Sequence, residues 1–295
     1  MDLDAYFARI GFTGARTPTL ETLRALHLAH AQAIAFENLN PLLGWHVPLD
    51  LPSIEEKLVR AGRGGYCFEQ NALFAAALRA VGFEVTGLAA RVIWNAPEDA
   101  IRPRGHMLLK VDIQAEPYIA DVGFGGQTLT GPLRLMVDVE QSTPHERFRF
   151  VAVDPRPADV DSATRGPADS GSIAGGAFGR DLKLQSLVRG AWKSLYRFDL
   201  QPQHEPDYEV ANYYLATNPA SHFRSSLMAA RPMPGRRYGL ANNQLTVHHL
   251  EGPSERRRLT NVAEVREVLE SVFGLTLPQG AELDAALARA CGFPA

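Results

Sequence analysis

Through the first eighty or so residues the apolar positions recur at helical spacing. LETLRALHLAHAQAI sets Leu20, Leu23, Leu26 with His27, and Ala31 to Ile34 along one side, which predicts a helix resting on that face. SIEEKLVRAG predicts a second helix, with Ser53 as N-cap, Glu56 three residues on at capping-box spacing, and a stop near Gly62. The chain breaks at Arg63, Gly64 and Gly65. CFEQNALFAAALRAVG then predicts a third helix, carrying Leu73, Phe74, Ala77, Leu78 and Val81 on one face and ending at Gly82, so that Cys67 lies in its first turn.

Beyond Gly82 the period changes to two. VTGLAARVIWN and HMLLKVDI read as strands, the second alternating Met107, Leu109, Val111 and Ile113 with His106, Leu108, Lys110 and Asp112. PYIADVGF returns after the turn-like QAEP, and RFRFVAV adds a further strand, which predicts an antiparallel sheet or small barrel through the middle of the chain. Residues 154–179 are rich in Pro, Gly, Ala, Asp and Ser and nearly empty of large apolar side chains, the composition of a mobile loop. The last third pairs two strands around Asn242 and Asn243 and adds two helical runs, NVAEVREVLESVFG and GAELDAALARACG, an α+β tail that is a candidate lid.

Composition narrows the function classes. With 295 residues and 45% hydrophobic content the chain can bury a core without staples, as one large unit or two to three packed domains. A net charge of -3 with 21% charged residues calls for neither a nucleic-acid nor a membrane partner. MDLDAYFARIGFTGA has no apolar run of signal-peptide length and no later stretch is long enough to span a bilayer, so a cytoplasmic protein is expected. Two cysteines, Cys67 and Cys291, are too few for a disulfide framework. HExxH and CxxC are missing, and His248 and His249 are adjacent on a strand and face opposite ways, so no metal is expected.

A thiol reacts as its thiolate, so a catalytic cysteine needs positive potential beside it. For Cys67 one source is the helix N-terminus, which favours an anion by up to about 1 to 2 kcal/mol. The other is a histidine from a distant segment, itself oriented by a carboxylate. RGGYCFEQN gives Cys67 two glycines that let backbone approach closely and the polar Glu69, Gln70 and Asn71, whereas Cys291 in LARACGFPA has no such setting and reads as structural. A turn near residue 113 or 114 makes the strands carrying His106 and Asp121 antiparallel and sets these two across from each other on one face. Asp121 lies among Ile119, Ala120, Val122 and Phe124, where an unpaired carboxylate would cost several kcal/mol, and an imidazole would meet that need. DVGFGGQTLTGP follows with glycines and threonines of a loop suited to a phosphate or a tight turn.

RGGYCFEQN, RGHMLL and ADVGFGG, in that order, resemble the three catalytic motifs of the arylamine N-acetyltransferase family, and the likeness runs from AFENLNPLL to the C-terminal strand pair. The resemblance implies an α+β fold with an N-terminal helical bundle over 1–84, a β-barrel over 85–195 with an insertion near 155–180, and an α/β lid over 196–295, bundle and barrel forming a papain-like core. It implies that Cys67 is the nucleophile, His106 the base and Asp121 its orienter, with acetyl-CoA as co-substrate and no permanent cofactor. A small aromatic amine, hydrazine or N-hydroxyarylamine would accept the acetyl group. Phe36 and Phe124 would touch the acceptor ring, while Gly125, Gly126, Thr128, Thr130, Thr217 and Ser221 would meet CoA. Two alternatives share the triad: an amide synthase of macrolactam type and a cysteine hydrolase. The stretch from Pro157 to Gly179 is longer than the family's usual connection between barrel and lid, and it bears on the shape of the acceptor pocket.

Overall fold

Helices in the first third form wherever a cap and an apolar face coincide. In the computed structural model, which describes residues 1–153 and 181–294, α1 (Leu3–Ile10) starts where Asp2 accepts the Ala5 N–H and ends at a left-handed Gly11. Helix α2 (Leu20–Ala33), capped by Thr19, buries Leu23, Leu26, His27, His30 and Ala31. A two-residue strand β1 (Phe36–Glu37) and the short α3 (Leu39–Leu43) follow. The next helix starts earlier than SIEEKLVRAG suggests. Asp50, not Ser53, is the N-cap of α4 (Leu51–Glu55), because its carboxylate accepts the Ser53 N–H at 3.0 Å and Pro52 fits a first turn that has no use for its missing donor. A wider π turn over Glu56–Arg60 completes that helix.

Helix α5 (Cys67–Val81) begins at Tyr66, whose N–H donates to Glu69 Oε2 at 3.1 Å, while Lys57 Nζ donates to Glu69 Oε1 at 2.6 Å. The end of the helix that carries Cys67 is thereby tied to the π turn. Phe68, Leu73, Phe74, Ala77 and Leu78 are all buried and form the centre of the bundle core.

The middle of the chain gives β2 (Glu84–Val92), β3 (His106–Ile113), β4 (Glu116–Ala120), β5 (Leu133–Arg134), β6 (Gln141–Ser142), β7 (Arg147–Ala152), β8 (Leu182–Val188) and β9 (Ala191–Phe198). They make one antiparallel sheet in the order β5-β4-β3-β2-β9-β8-β7-β6. Its edge strands approach each other where Arg134 N–H donates to Gln141 Oε1 and Gln141 Nε2 donates to Arg134 O, both at 2.8 Å, so the sheet curls into a nearly closed barrel. Leu88, Leu108, Ile119, Phe148, Phe150, Leu184 and Leu195 fill its interior. The segment near 155–180 singled out by composition lies outside the described residues.

The remainder contains α6 (Glu205–Thr217), α7 (His222–Ser225), β10 (Met228–Met233), β11 (Arg236–Ala241), β12 (Gln244–His249), β13 (Glu255–Arg258), α8 (Val262–Ser271) and α9 (Ala281–Cys291). Its sheet runs β1-β10-β11-β12-β13, with Phe36 opposite Ala230. Residues from the first third therefore supply an edge strand to the C-terminal sheet, and Ala35, Leu39 and Leu42 join the core under α8 and α9. The α+β architecture of bundle, barrel and lid is as expected, with this exchange added. No helix among the described residues is long and apolar enough to cross a membrane.

Candidate active site

Three segments meet at Cys67. As the first residue of α5 it is 4% exposed, and its Sγ lies 3.7 Å from the Gly105 carbonyl oxygen. His106 opens β3 beside it, and its Nε2 is 2.7 Å from Asp121 Oδ2. Cys67 Sγ therefore meets the chain at the residue just before His106, and the ring of that histidine is held by the Asp121 carboxylate. The loop after Asp121 can lie on the helix end because residue 123 is glycine: a Cβ there would sit 2.7 Å from Cys67 Cα and 2.8 Å from Asn71 Nδ2.

His106 and Asp121 are not directly opposite. The turn falls at Gln114 and Ala115, both with positive φ, and pairs Ile113 with Glu116 and Leu109 with Ala120. That register points Asp121 toward Leu108, two residues short of His106. An even offset keeps both side chains on one face, and the imidazole spans the difference.

Burial disfavours charge on His106, but the Asp121 carboxylate and its hydrogen bond, then Cys67, outweigh this and raise its pKa to about 10. Burial likewise opposes the Asp121 charge, and His106, Asn71 and the Gly123 N–H reverse it, leaving that carboxyl below its usual range. Asp121 Oδ1 accepts from Asn71 Nδ2 and from Gly123 N–H, each at 3.0 Å. Asn71 also donates to Met107 O at 2.7 Å and accepts the Val122 N–H at 3.1 Å. At neutral pH the site therefore holds an imidazolium against a fixed carboxylate.

The ring of Phe124 stands edge-on to His106, centroids 5.1 Å apart, and Tyr196 packs on both at 5.0 and 5.2 Å. Phe36 lies under Gly125 and 6.4 Å from Phe223. Phe124 and Tyr196 thus pack on the imidazole, and Phe36 and Phe223 form a second aromatic pair beside Gly125. Gly126 is exposed with open space where a Cβ would go. The four hydroxyls expected to meet CoA are turned elsewhere. Thr128 donates to Asp121 O at 3.0 Å and accepts from Phe124 N–H, and Thr130 is fully buried and bonded to Thr143. Thr217 donates to Tyr213 O and Ser221 to Leu215 O, both at 2.6 Å. Thr128, Thr217 and Ser221 thus brace nearby main chain, and Thr130 braces a strand edge through Thr143.

Other residues complete the site. Asn71, the last residue of RGGYCFEQN, is one helical turn from Cys67. Tyr196 is an alternating strand position like its neighbours. His27 and His30 lie on the buried face of α2: His27 Nε2 accepts the Asp121 N–H at 3.2 Å, and His30 joins Tyr6 OH at 2.8 Å to Gln70 Oε1 at 2.7 Å. Gln70 Nε2 in turn donates to the Ile34, Ala35 and Gly65 carbonyls at 2.9 to 3.2 Å, bracing the chain that leads into Cys67. Among the described residues no group of three His, Cys, Asp or Glu side chains is placed to hold a metal ion.

These histidines set a pH dependence. Burial lowers His27 to about 4 and His30 to about 3, so between those values and the unfolded value of about 6.5 the unfolded chain binds the extra protons and stability falls as pH falls. The expected slope is about 1.4 kcal/mol per pH unit for each ring. His106 works in the opposite sense. Its raised pKa contributes stability that is complete below about 6.5 and lost as pH rises toward about 10. Urea midpoints at pH 5, 7 and 9 should peak at 7, and equal midpoints would contradict this assignment.

A family model described as N-acetyltransferase matches residues 19–282. The chain is 43% identical over 274 residues to an arylamine N-acetyltransferase of Escherichia coli (strain K12), covering 92% of this chain and 88% of that one. It is 41% identical, with the same coverage, to an arylamine N-acetyltransferase / N-hydroxyarylamine O-acetyltransferase of Salmonella typhimurium. The structure of Mycobacterium marinum arylamine N-acetyltransferase in complex with CoA is similar with a TM-score of 0.86 at 36% identity, covering 98% of this chain and 100% of that one.

Proposed function

This chain belongs to the arylamine N-acetyltransferase family, and from that premise we propose that it moves acetyl from acetyl-CoA to an aromatic amine, hydrazine or N-hydroxyarylamine through a thioester on Cys67. The observation that carries the reading is the convergence of Cys67, whose Sγ is 3.7 Å from the carbonyl oxygen of the residue before His106, with a His106–Asp121 pair at 2.7 Å. In the first half-reaction the Cys67 sulfur attacks the thioester carbonyl of acetyl-CoA. The first-turn N–H groups of α5 lack intrahelical acceptors and favour the oxyanion. Collapse of the adduct breaks the carbon–sulfur bond to CoA, whose sulfur takes the proton from His106. In the second half the uncharged amine attacks the Cys67 thioester, His106 accepts the amine proton, and the Cys67 thiolate leaves.

Each part of the site has a task in this sequence. Thioester exchange is nearly balanced in free energy, so catalysis rests on having the sulfur ionised and placed. Asp121 keeps the imidazolium in one orientation, as the carboxylate of a triad does. Phe124, Phe36 and Phe223, each partly exposed, offer faces and edges to an aromatic acceptor, a contact worth about 0.5 to 1.5 kcal/mol beyond area burial, while the fully buried Tyr196 backs Phe124. Gly126, exposed and with open space where a Cβ would go, leaves room for CoA to approach the backbone, and Gly125 supplies the positive φ that turns the loop there.

Initial rates over a grid of acetyl-CoA and an arylhydrazine test the two-step scheme. Double-reciprocal lines should be parallel, and CoA should be released without acceptor in an amount matching the enzyme. Intersecting lines with no CoA released before acceptor is added would remove the thioester intermediate.

A further inference from the structure

The geometry points to His27 as a positioning residue for acetyl transfer: its neutral imidazole, fixed in one tautomer, holds the main chain of Asp121 and so aims the carboxylate at His106. The inference rests on the proposed Cys67–His106–Asp121 mechanism. Asp121 follows the last paired residue of β4, so its N–H lies beyond the ladder that ends at Leu109 and Ala120. That N–H donates to His27 Nε2 at 3.2 Å across a separation of 94 residues. A main-chain N–H can only donate, so Nε2 must be bare and the ring proton must sit on Nδ1.

The other side of the ring shows that this bond is selected at a disadvantage. His27 is fully buried, and its Nδ1 has no hydrogen-bond partner among the described residues. A residue serving only to fill space between α2 and α5 would leave no unpaired donor in the interior, and the ring's apolar contact, edge-to-face with Phe74 at 5.5 Å, needs no nitrogen. What the nitrogen supplies is the Asp121 N–H acceptor. The carbonyl of Asp121 is held separately by Thr128, and the next N–H, of Val122, by Asn71. His27 is the contribution of α2 to this set, anchoring the barrel residue to the helical bundle. The charged and titratable groups around it are Asp121 and His30, and both are bonded to other partners.

The test compares His27→Gln, whose amide oxygen can accept the same N–H, with His27→Leu, which fills the space without an acceptor. Single-turnover acetylation of Cys67 is followed over a range of acetyl-CoA, alongside thermal melts and a His106→Gln control. His27→Leu should lower the maximal acetylation rate on the order of 10²-fold through misplacement, with half-saturation unchanged within about 2-fold. His27→Gln should recover most of that rate. A native rate in His27→Leu, or a His27→Gln as slow as His27→Leu, overturns the positioning role. If His27→Leu does not fold, nitrogen NMR of the native chain decides: a proton on Nδ1 supports the role and a proton on Nε2 overturns it. The control separates the two ideas, because a native rate in His106→Gln removes the triad itself, whereas a dead His106→Gln beside a native His27→Leu removes only His27.

Discussion

Replacing Cys67 with serine should abolish acetyl transfer, by at least about 10⁴-fold in kcat/KM, while leaving the fold intact. The side chains are nearly the same size, and Cys67 sits in a buried first turn where a hydroxyl is well tolerated next to free N–H groups. What is lost is the sulfur nucleophile. An alcohol beside an imidazolium stays protonated, so no anion forms to attack the thioester, and the ester that would follow is a poorer acyl donor to an amine. Cys291 cannot substitute, since it is buried in α9 and its thiol is pushed up to about 11. Steady-state assay with an arylhydrazine, and a thermal melt for the fold, give the comparison. Retention of more than about a tenth of native activity would mean that another group carries the acetyl.

Asp121→Asn carries the second large effect, and it acts on rate and stability together. The amide keeps an acceptor for the Asn71 and Gly123 donors but removes the charge that holds His106 protonated. Loss of that charge, and of the tautomer it enforces, should lower kcat about 10³- to 10⁴-fold. Breaking a buried ion pair by removing one partner also destabilises by about 3 to 5 kcal/mol. The sign of the pH effect follows. Without Asp121 the raised His106 pKa falls, so the decline in stability between about 6.5 and about 10 should disappear. Urea titrations at pH 7 and 9 on native and variant chains, paired with rates normalised to folded protein, separate the two losses. A variant within about threefold of native kcat would leave Asp121 with a structural role only.

The parts of this protein that could be read from the chain are those set by local physics. The apolar stripes of α2 and α5, the glycine stop at Gly82 and the alternation in β3 each follow from side-chain periodicity, and they place Cys67 at a helix start and His106 at a strand start. Ser53 and Asp50 are both good caps for α4, and the choice turns on Pro52, which fits the first turn that Asp50 opens. The register differs by two from that of a turn near residue 113 or 114, because the turn uses Gln114 and Ala115 at positive φ, a conformation neither residue advertises.

Long-range partnerships were the harder part. His27 reads as one more member of an apolar face, and nothing nearby shows that its nitrogen meets a strand 94 residues away. The pairing of Phe36 with Ala230 is invisible for the same reason: a two-residue strand has no period. Thr128, Thr130, Thr217 and Ser221 look like ligand contacts in a loop or helix end, yet the hydroxyls of Thr128, Thr217 and Ser221 bond main-chain carbonyls and that of Thr130 bonds Thr143. Chemistry-bearing residues were legible where their type is rare, as with one cysteine of two, and obscure where the type is common.

Intact-mass spectrometry of the chain mixed with acetyl-CoA and no acceptor tests the central claim most directly. The expected result is a gain of one acetyl group, mapped to Cys67 by peptide digestion, absent from Cys67→Ser and lost when an arylamine is added. An unmodified chain that nevertheless acetylates arylamines, or an acetyl group mapped to any other residue, would contradict it.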